Sequence, residues 1–303
     1  MLETEPLIQW PRPLIEVLGF VAAFLSAGAL GFRYAALSRL HRSAAGEVGA
    51  DERSLIAAAA ARAAAFGLAG VLLGAALLAS RLPELAARRH LTVAQLVLVS
   101  TPVAVQVGLA LVAIAGFALA VGRQAPGWPL AAIGVIAGML RAAFFGQWVR
   151  LVKPIHELAA GMWIGTLFVM VVAGISPLLR STLPPERRGA LIARMVGGFS
   201  PLALTSAAVM AVFGVLTAWL NLKVLSSLWT TPYGYALITK LCVVLGVVGI
   251  GAWNWRRQKP RLGSVESALA LRRSARSELV AAALVLAVTA VLVSLPSPKP
   301  PLP

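Results

Sequence analysis

The chain has 303 residues, of which 59% are hydrophobic and 13% charged, and its mean hydropathy is +0.85. That balance excludes a soluble globular domain and indicates a polytopic membrane protein. A net charge of +16 would suggest nucleic-acid binding in a soluble chain, but most of the excess lies between apolar runs, where Lys and Arg set topology. The surroundings expected are therefore a lipid bilayer, with no nucleic acid.

Glu3 and Glu5 with Arg12 give the wrong charge for a leader, and the apolar run that follows is too long, so the mature protein is expected to begin at Met1. A window of about 19 residues finds eight apolar spans: Leu14–Leu37, Leu55–Ala79, Val93–Val121, Trp128–Val149, Pro154–Leu179, Ser200–Leu222, Tyr233–Trp253 and Glu278–Leu295. The fold class is all-α, a transmembrane helical bundle of about eight spans. Breakers mark the connections at Arg81–Arg89, Gly122–Gly127, Ser181–Gly189 and from Pro296 onward, and Arg150–Pro154 leaves a tight hairpin turn. Small residues, as in Ala57–Ala65 and at Gly67, Gly70 and Gly74, permit close helix approach.

Sixteen Lys and Arg follow odd-numbered spans, among them Arg33, Arg39, Arg123, Arg187, Lys259 and Arg261, against eight on the other side, among them Arg12, Arg81, Lys223 and Lys299. The richer side is expected to be cytoplasmic, which places both termini and the start of the fifth span outside. Trp10, Trp148 and Trp229 on the outer side and Trp128, Trp253 and Trp255 on the inner side form an aromatic belt in this reading.

The fifth span, PIHELAAGMWIGTLFVMVVAGISPLL, is long enough to cross the hydrocarbon, about 39 Å of helix against a core of about 30 Å. It carries His156 and Glu157 in its first turn. Charges within spans cost at least about 2.5 kcal/mol at mid-bilayer and mark cavities or partners; Glu16, Arg62, Arg141, Glu157 and Lys240 are such residues. Arg62 can snorkel to the cytoplasmic end. Glu157 is read as a partner of Lys240 or Arg141.

His156, Trp163 and Met170 recur at seven-residue spacing and so share a helix face. Imidazole nitrogen with thioether sulfur suits copper, and sulfur favours the cuprous ion, Cu(I). Met162 follows on the same helix, and Met139, Met210 and Cys242 fall near the middle of other spans. The candidate metal residues are therefore His156, Met162, Met170, Met210 and Cys242, supported by Glu157, Lys240, Arg141 and Trp163. Methionine is equally a gap-filler and buried cysteine a small apolar residue. With a single cysteine there is no disulfide framework and no CxxC site. No HExxH, GxSxG, P-loop or strand-borne GxGxxG is present, so no enzyme is expected; His41 and His90 fall in connections.

The run HELAAGMWIG (His156–Gly165) resembles the helix signature of the copper resistance D (CopD) family, a His followed by Trp seven residues later and then Gly. FSPLAL (Phe199–Leu204) leading into Gly214, and TPYGYALITKL (Thr231–Leu241) followed by Asn254, resemble two further blocks of that family. The resemblance covers about Arg141 to Trp255, with Thr166 in place of a second glycine and Gln147 where many members carry His. It divides the chain into an N-terminal four-span region, 1–150, and a CopD-like four-span region, 151–303, within one continuous bundle. It implies a multi-pass protein of the bacterial inner membrane with periplasmic termini, which moves copper inward or confers copper resistance, with a small periplasmic copper-binding protein as partner. Two other classes stay open: a haem or quinone membrane subunit of an electron-transfer complex, and a membrane scaffold for a periplasmic copper chaperone.

Overall fold

The computed structural model describes residues 10–42, 49–222, 224–258, 265–296 and 298. Glu3, Glu5, Lys223, Lys259, Arg261 and Lys299 lie outside the described residues, as do the side chains of His41, Trp253, Asn254 and Trp255. The described chain is helical, without strands: α1 (Arg12–Leu40), α2 (Ala50–Ala87), α3 (Val93–Val99), α4 (Thr101–Val121), α5 (Gly127–Met139), α6 (Trp148–Leu179), α7 (Pro185–Asn221), α8 (Pro232–Gln258) and α9 (Val265–Ser294). Among the described residues α1, α2, α4, α6 and α7 are long and apolar enough to cross a membrane, and α5, α8 and α9 carry shorter apolar stretches. The protein is an all-α, multi-pass membrane bundle.

Local chemistry explains the helix starts. At α2, the Glu52 carboxylate accepts the Gly49 N–H at 3.3 Å, and Asp51 and Glu52 complement the helix dipole. At α3, Thr92 and Gln95 form a reciprocal capping box, 3.2 and 2.9 Å.

Three expected spans differ from the structure. The run Val93–Val121 is broken at Ser100, whose backbone is extended; Pro102 lacks the N–H that a continuous helix needs there. The fourth span stops at Met139 and continues as tight turns around Gly146, which adopts a left-handed φ of 67°. The thirteen residues of α5 rise about 20 Å, less than the hydrocarbon thickness of about 30 Å. The sixth begins at Pro185 rather than Ser200, because Pro184-Pro185 starts a helix instead of separating two: a proline at the first helical position gives up no hydrogen bond.

Helix α6 is central: 67% of its apolar stretch is buried in the protein, against 11% for α7. The core joins Leu30 and Phe32 of α1, Ala59 and Ala63 of α2, Val169 and Ile175 of α6, and Ile192 and Met195 of α7. Helices α1 and α6 run parallel and touch backbone to backbone: a Cβ on Gly28 would land on the backbone of Gly165, and one on Gly165 on the Phe24 carbonyl. The buried Thr166 hydroxyl donates to the Gly28 carbonyl at 3.4 Å, so the threonine that replaces a glycine serves the same seam. Helix α7 is antiparallel to α6, with Met195 beside Gly174 and Met210 beside His156.

Trp128 departs from the belt expectation. It is buried, edge-on to Phe117 and Tyr34, with the Arg33 guanidinium 5.9 Å from its ring centre. A cation–π contact and two aromatic contacts hold it inside the bundle. Trp10, Trp148 and Trp229 are exposed.

Candidate metal site

His156 projects from the N-terminal part of α6 onto α7, where its Nδ1 lies 2.8 Å from the Met210 carbonyl oxygen. A carbonyl can only accept, so Nδ1 carries the proton. In the neutral ring Nε2 then keeps its lone pair, the tautomer a metal ligand needs. Gly214, one turn beyond Met210, makes room for the ring: a Cβ there would stand 3.1 Å from Cε1 and 3.4 Å from Nδ1. Helix α7 thus supplies a notch and an acceptor at i and i+4 on one face.

That arrangement makes Gly214→Ala informative. The added methyl crowds the imidazole by a few tenths of an ångström and shifts it against its hydrogen bond at a cost of up to about 1.4 kcal/mol, so the affinity of Nε2 for the expected Cu(I) should fall by up to about tenfold. Competition of the purified protein with a chromophoric Cu(I) chelator measures this, and in a His156→Ala background the same substitution should change nothing.

The other expected residues are distributed more widely. Met170 is buried in the core, and Met162, Trp163 and Met139 pack against it half-buried. Met210 contributes its backbone carbonyl, and its side chain is half-buried. Cys242 is exposed on α8. The seven-residue stripe is interrupted, since α6 has wide turns at Gly161–Gly165 and Met170–Ile175. A wide turn takes up one extra residue, about 100° of helix rotation, so His156, Trp163 and Met170 do not stay in line.

Among the described residues no ion pair within 4.0 Å joins Glu157 to Lys240 or to Arg141. Helix α1 packs along the start of α6, and Glu16 lies in the second turn of α1. Arg141 donates to the Gly138 carbonyl at 3.0 Å. Gln147 is exposed in the connection before α6, its side-chain oxygen accepting from Arg150 at 3.2 Å.

One residue was not legible beforehand. Met195 is buried with its sulfur 3.3 Å from where a Cβ on Gly174 would lie, in the same core cluster as Met170. It had fallen in an expected connection. No group of three or more His, Cys, Asp or Glu side chains suited to a metal occurs among the described residues, so nitrogen from His156 would have to combine with sulfur or backbone oxygen.

Residues 193–292 match the family model described as copper resistance protein D. The match begins within α7 and ends within α9, taking in Met195, Met210, Gly214, Lys240 and Cys242; His156 lies upstream of it. The chain is also similar to the copper transport protein CutJ of Bacillus subtilis (strain 168), 29% identical over 151 residues, which are 49% of this chain. The match spans 26% of that relative's length. No solved structure gives a significant match.

Proposed function

We propose, from the match of residues 193–292 to the copper resistance protein D family model, that this chain is a copper-handling protein of the bacterial inner membrane, in which His156 receives copper at the periplasmic side. Copper is the cargo rather than a resident cofactor. The observation that carries the reading is the His156–Met210 hydrogen bond, which commits Nδ1 and leaves Nε2 as a ligand nitrogen in an otherwise apolar helix pair. The excess of Lys and Arg on the opposite side of the bundle supports an outer location for this end of α6.

From His156, Cu(I) passes inward to thioether sulfur, with Met162 and Met170 on α6 and Met210 on α7 as steps, and Met195 as an addition from the fold. Cys242, exposed on α8, belongs to this set only as a peripheral thiol. A small periplasmic copper-binding protein delivers the ion.

Cells that produce the wild type or His156→Ala at equal membrane levels test the reading. Copper accumulation above the vector background is expected for the wild type and absent for the variant; equal accumulation by both would sink the role of His156.

A further inference from the structure

The inner half of α6 holds a backbone fault that a residue outside the copper site repairs. In a regular helix the Ala173 carbonyl accepts the N–H of residue 177, but residue 177 is proline and has none. The wide turn Met170–Ile175 lies at this point, with the Ser176 N–H bonded five residues back to the Val171 carbonyl. The Ala173 carbonyl accepts instead from Arg62 Nε of α2, at 3.1 Å. Arg62 therefore does more than snorkel: it satisfies a carbonyl that would otherwise be stranded in a low-dielectric interior.

The wide turn has a geometric consequence. Gly165 and Gly174 are nine residues apart, which places them about 180° apart on a continuous α-helix. One extra residue in the turn brings them to within about 80°. That lets Gly174 meet the Phe32 ring of α1 while Gly161 and Gly165 meet Ala27 and Phe24 of the same helix. The turn thus fixes the rotational phase between the inner half of α6 and the outer half that carries His156.

We propose that Arg62 is a positioning residue for the copper site, donating to Ala173 the hydrogen bond that Pro177 cannot and so holding His156 in phase with the Met210–Gly214 face of α7. The proposal rests on the reading of His156 as the copper-receiving residue. Glutamine separates the donor from the charge, because its Nε2 stands as many bonds from the backbone as arginine Nε; methionine keeps the length and removes the donor.

The test has two arms on the full-length protein. For register, His156→Cys and Gly214→Cys are combined in a Cys242→Ser background and joined in membranes with a short bifunctional thiol reagent. Cross-linking should be as efficient with Arg62→Gln as with Arg62 and should fall several-fold with Arg62→Met. For function, Arg62→Gln should load Cu(I) like the wild type, and Arg62→Met about tenfold more weakly. Wild-type cross-linking with Arg62→Met, or equal loss with Arg62→Gln, would overturn the proposal. If Arg62→Met fails to accumulate, Arg62→Gln decides alone, since impaired cross-linking there rejects a role through the donor and wild-type behaviour supports it. Failure of the wild type to bind copper would count against the copper reading, and the register arm would still decide on Arg62.

Discussion

Leucine in place of Gly28 or Gly165 is expected to abolish accumulation of folded protein in the membrane, read as loss of the monodisperse peak in size-exclusion chromatography of detergent extracts. The atoms a side chain would meet at these positions are backbone: the Gly165 main chain for Gly28, and the Phe24 carbonyl for Gly165. Overpacking against movable side chains costs about 1–3 kcal/mol. Here no rotamer change relieves the clash, so α1 and α6 must separate and uncover Leu30, Phe32, Val169 and Ile175, each at most 2% exposed. The expected cost is at least about 4 kcal/mol, the range reserved for failures of this kind. Gly19 and Gly108 are internal controls: nothing lies within 4 Å of a Cβ at either, and alanine there should leave accumulation unchanged. A normal peak from Gly165→Leu would contradict the parallel α1–α6 seam.

Hydropathy made the bundle legible because a span must be apolar over its whole length. It located the cores of α1, α2, α6 and α7 well. It failed at connections, where one proline has opposite meanings: Pro102 interrupts an apolar run, whereas Pro184-Pro185 opens a helix that reaches Asn221. That second misreading concealed Met195. Gly146 hid a break of another kind, since Phe144 and Phe145 keep the run apolar while the backbone turns through a left-handed φ.

At the site, His156 stood out as an imidazole in an apolar helix, and Gly214 came with the family resemblance. Their contact could not be read, because it depends on how α6 and α7 are phased. Seven-residue periodicity assumes an uninterrupted helix, and the wide turns at Gly161–Gly165 and Met170–Ile175 have no residue signature of their own. Pro177 is visible in the sequence, but the arginine that compensates for it lies on α2. The expected partnership of Glu157 with Lys240 followed from their depth alone; depth does not say which helices face each other, and among the described residues no ion pair within 4.0 Å joins the two.

His156→Ala has the largest expected effect on function. The hydrogen bond to Met210 costs the site little when the ring is removed, because the half-buried notch can admit water or lipid, so the bundle should stay folded. The nitrogen ligand has no substitute: His41 and His90 are the remaining histidines, and both lie in connecting segments of the sequence rather than within an apolar span. In the proposed reading His156 supplies the imidazole ligand, so its loss should lower Cu(I) affinity by at least about 100-fold, equivalent to about 2.8 kcal/mol.

The direct measurement is copper content of the detergent-purified full-length protein after loading with Cu(I) under reducing conditions, wild type beside His156→Ala, with both shown to elute as the same folded species. The wild type is expected to retain copper through desalting and the variant to lose it. Equal retention by both, or none by either, would contradict His156 as the residue that receives the metal.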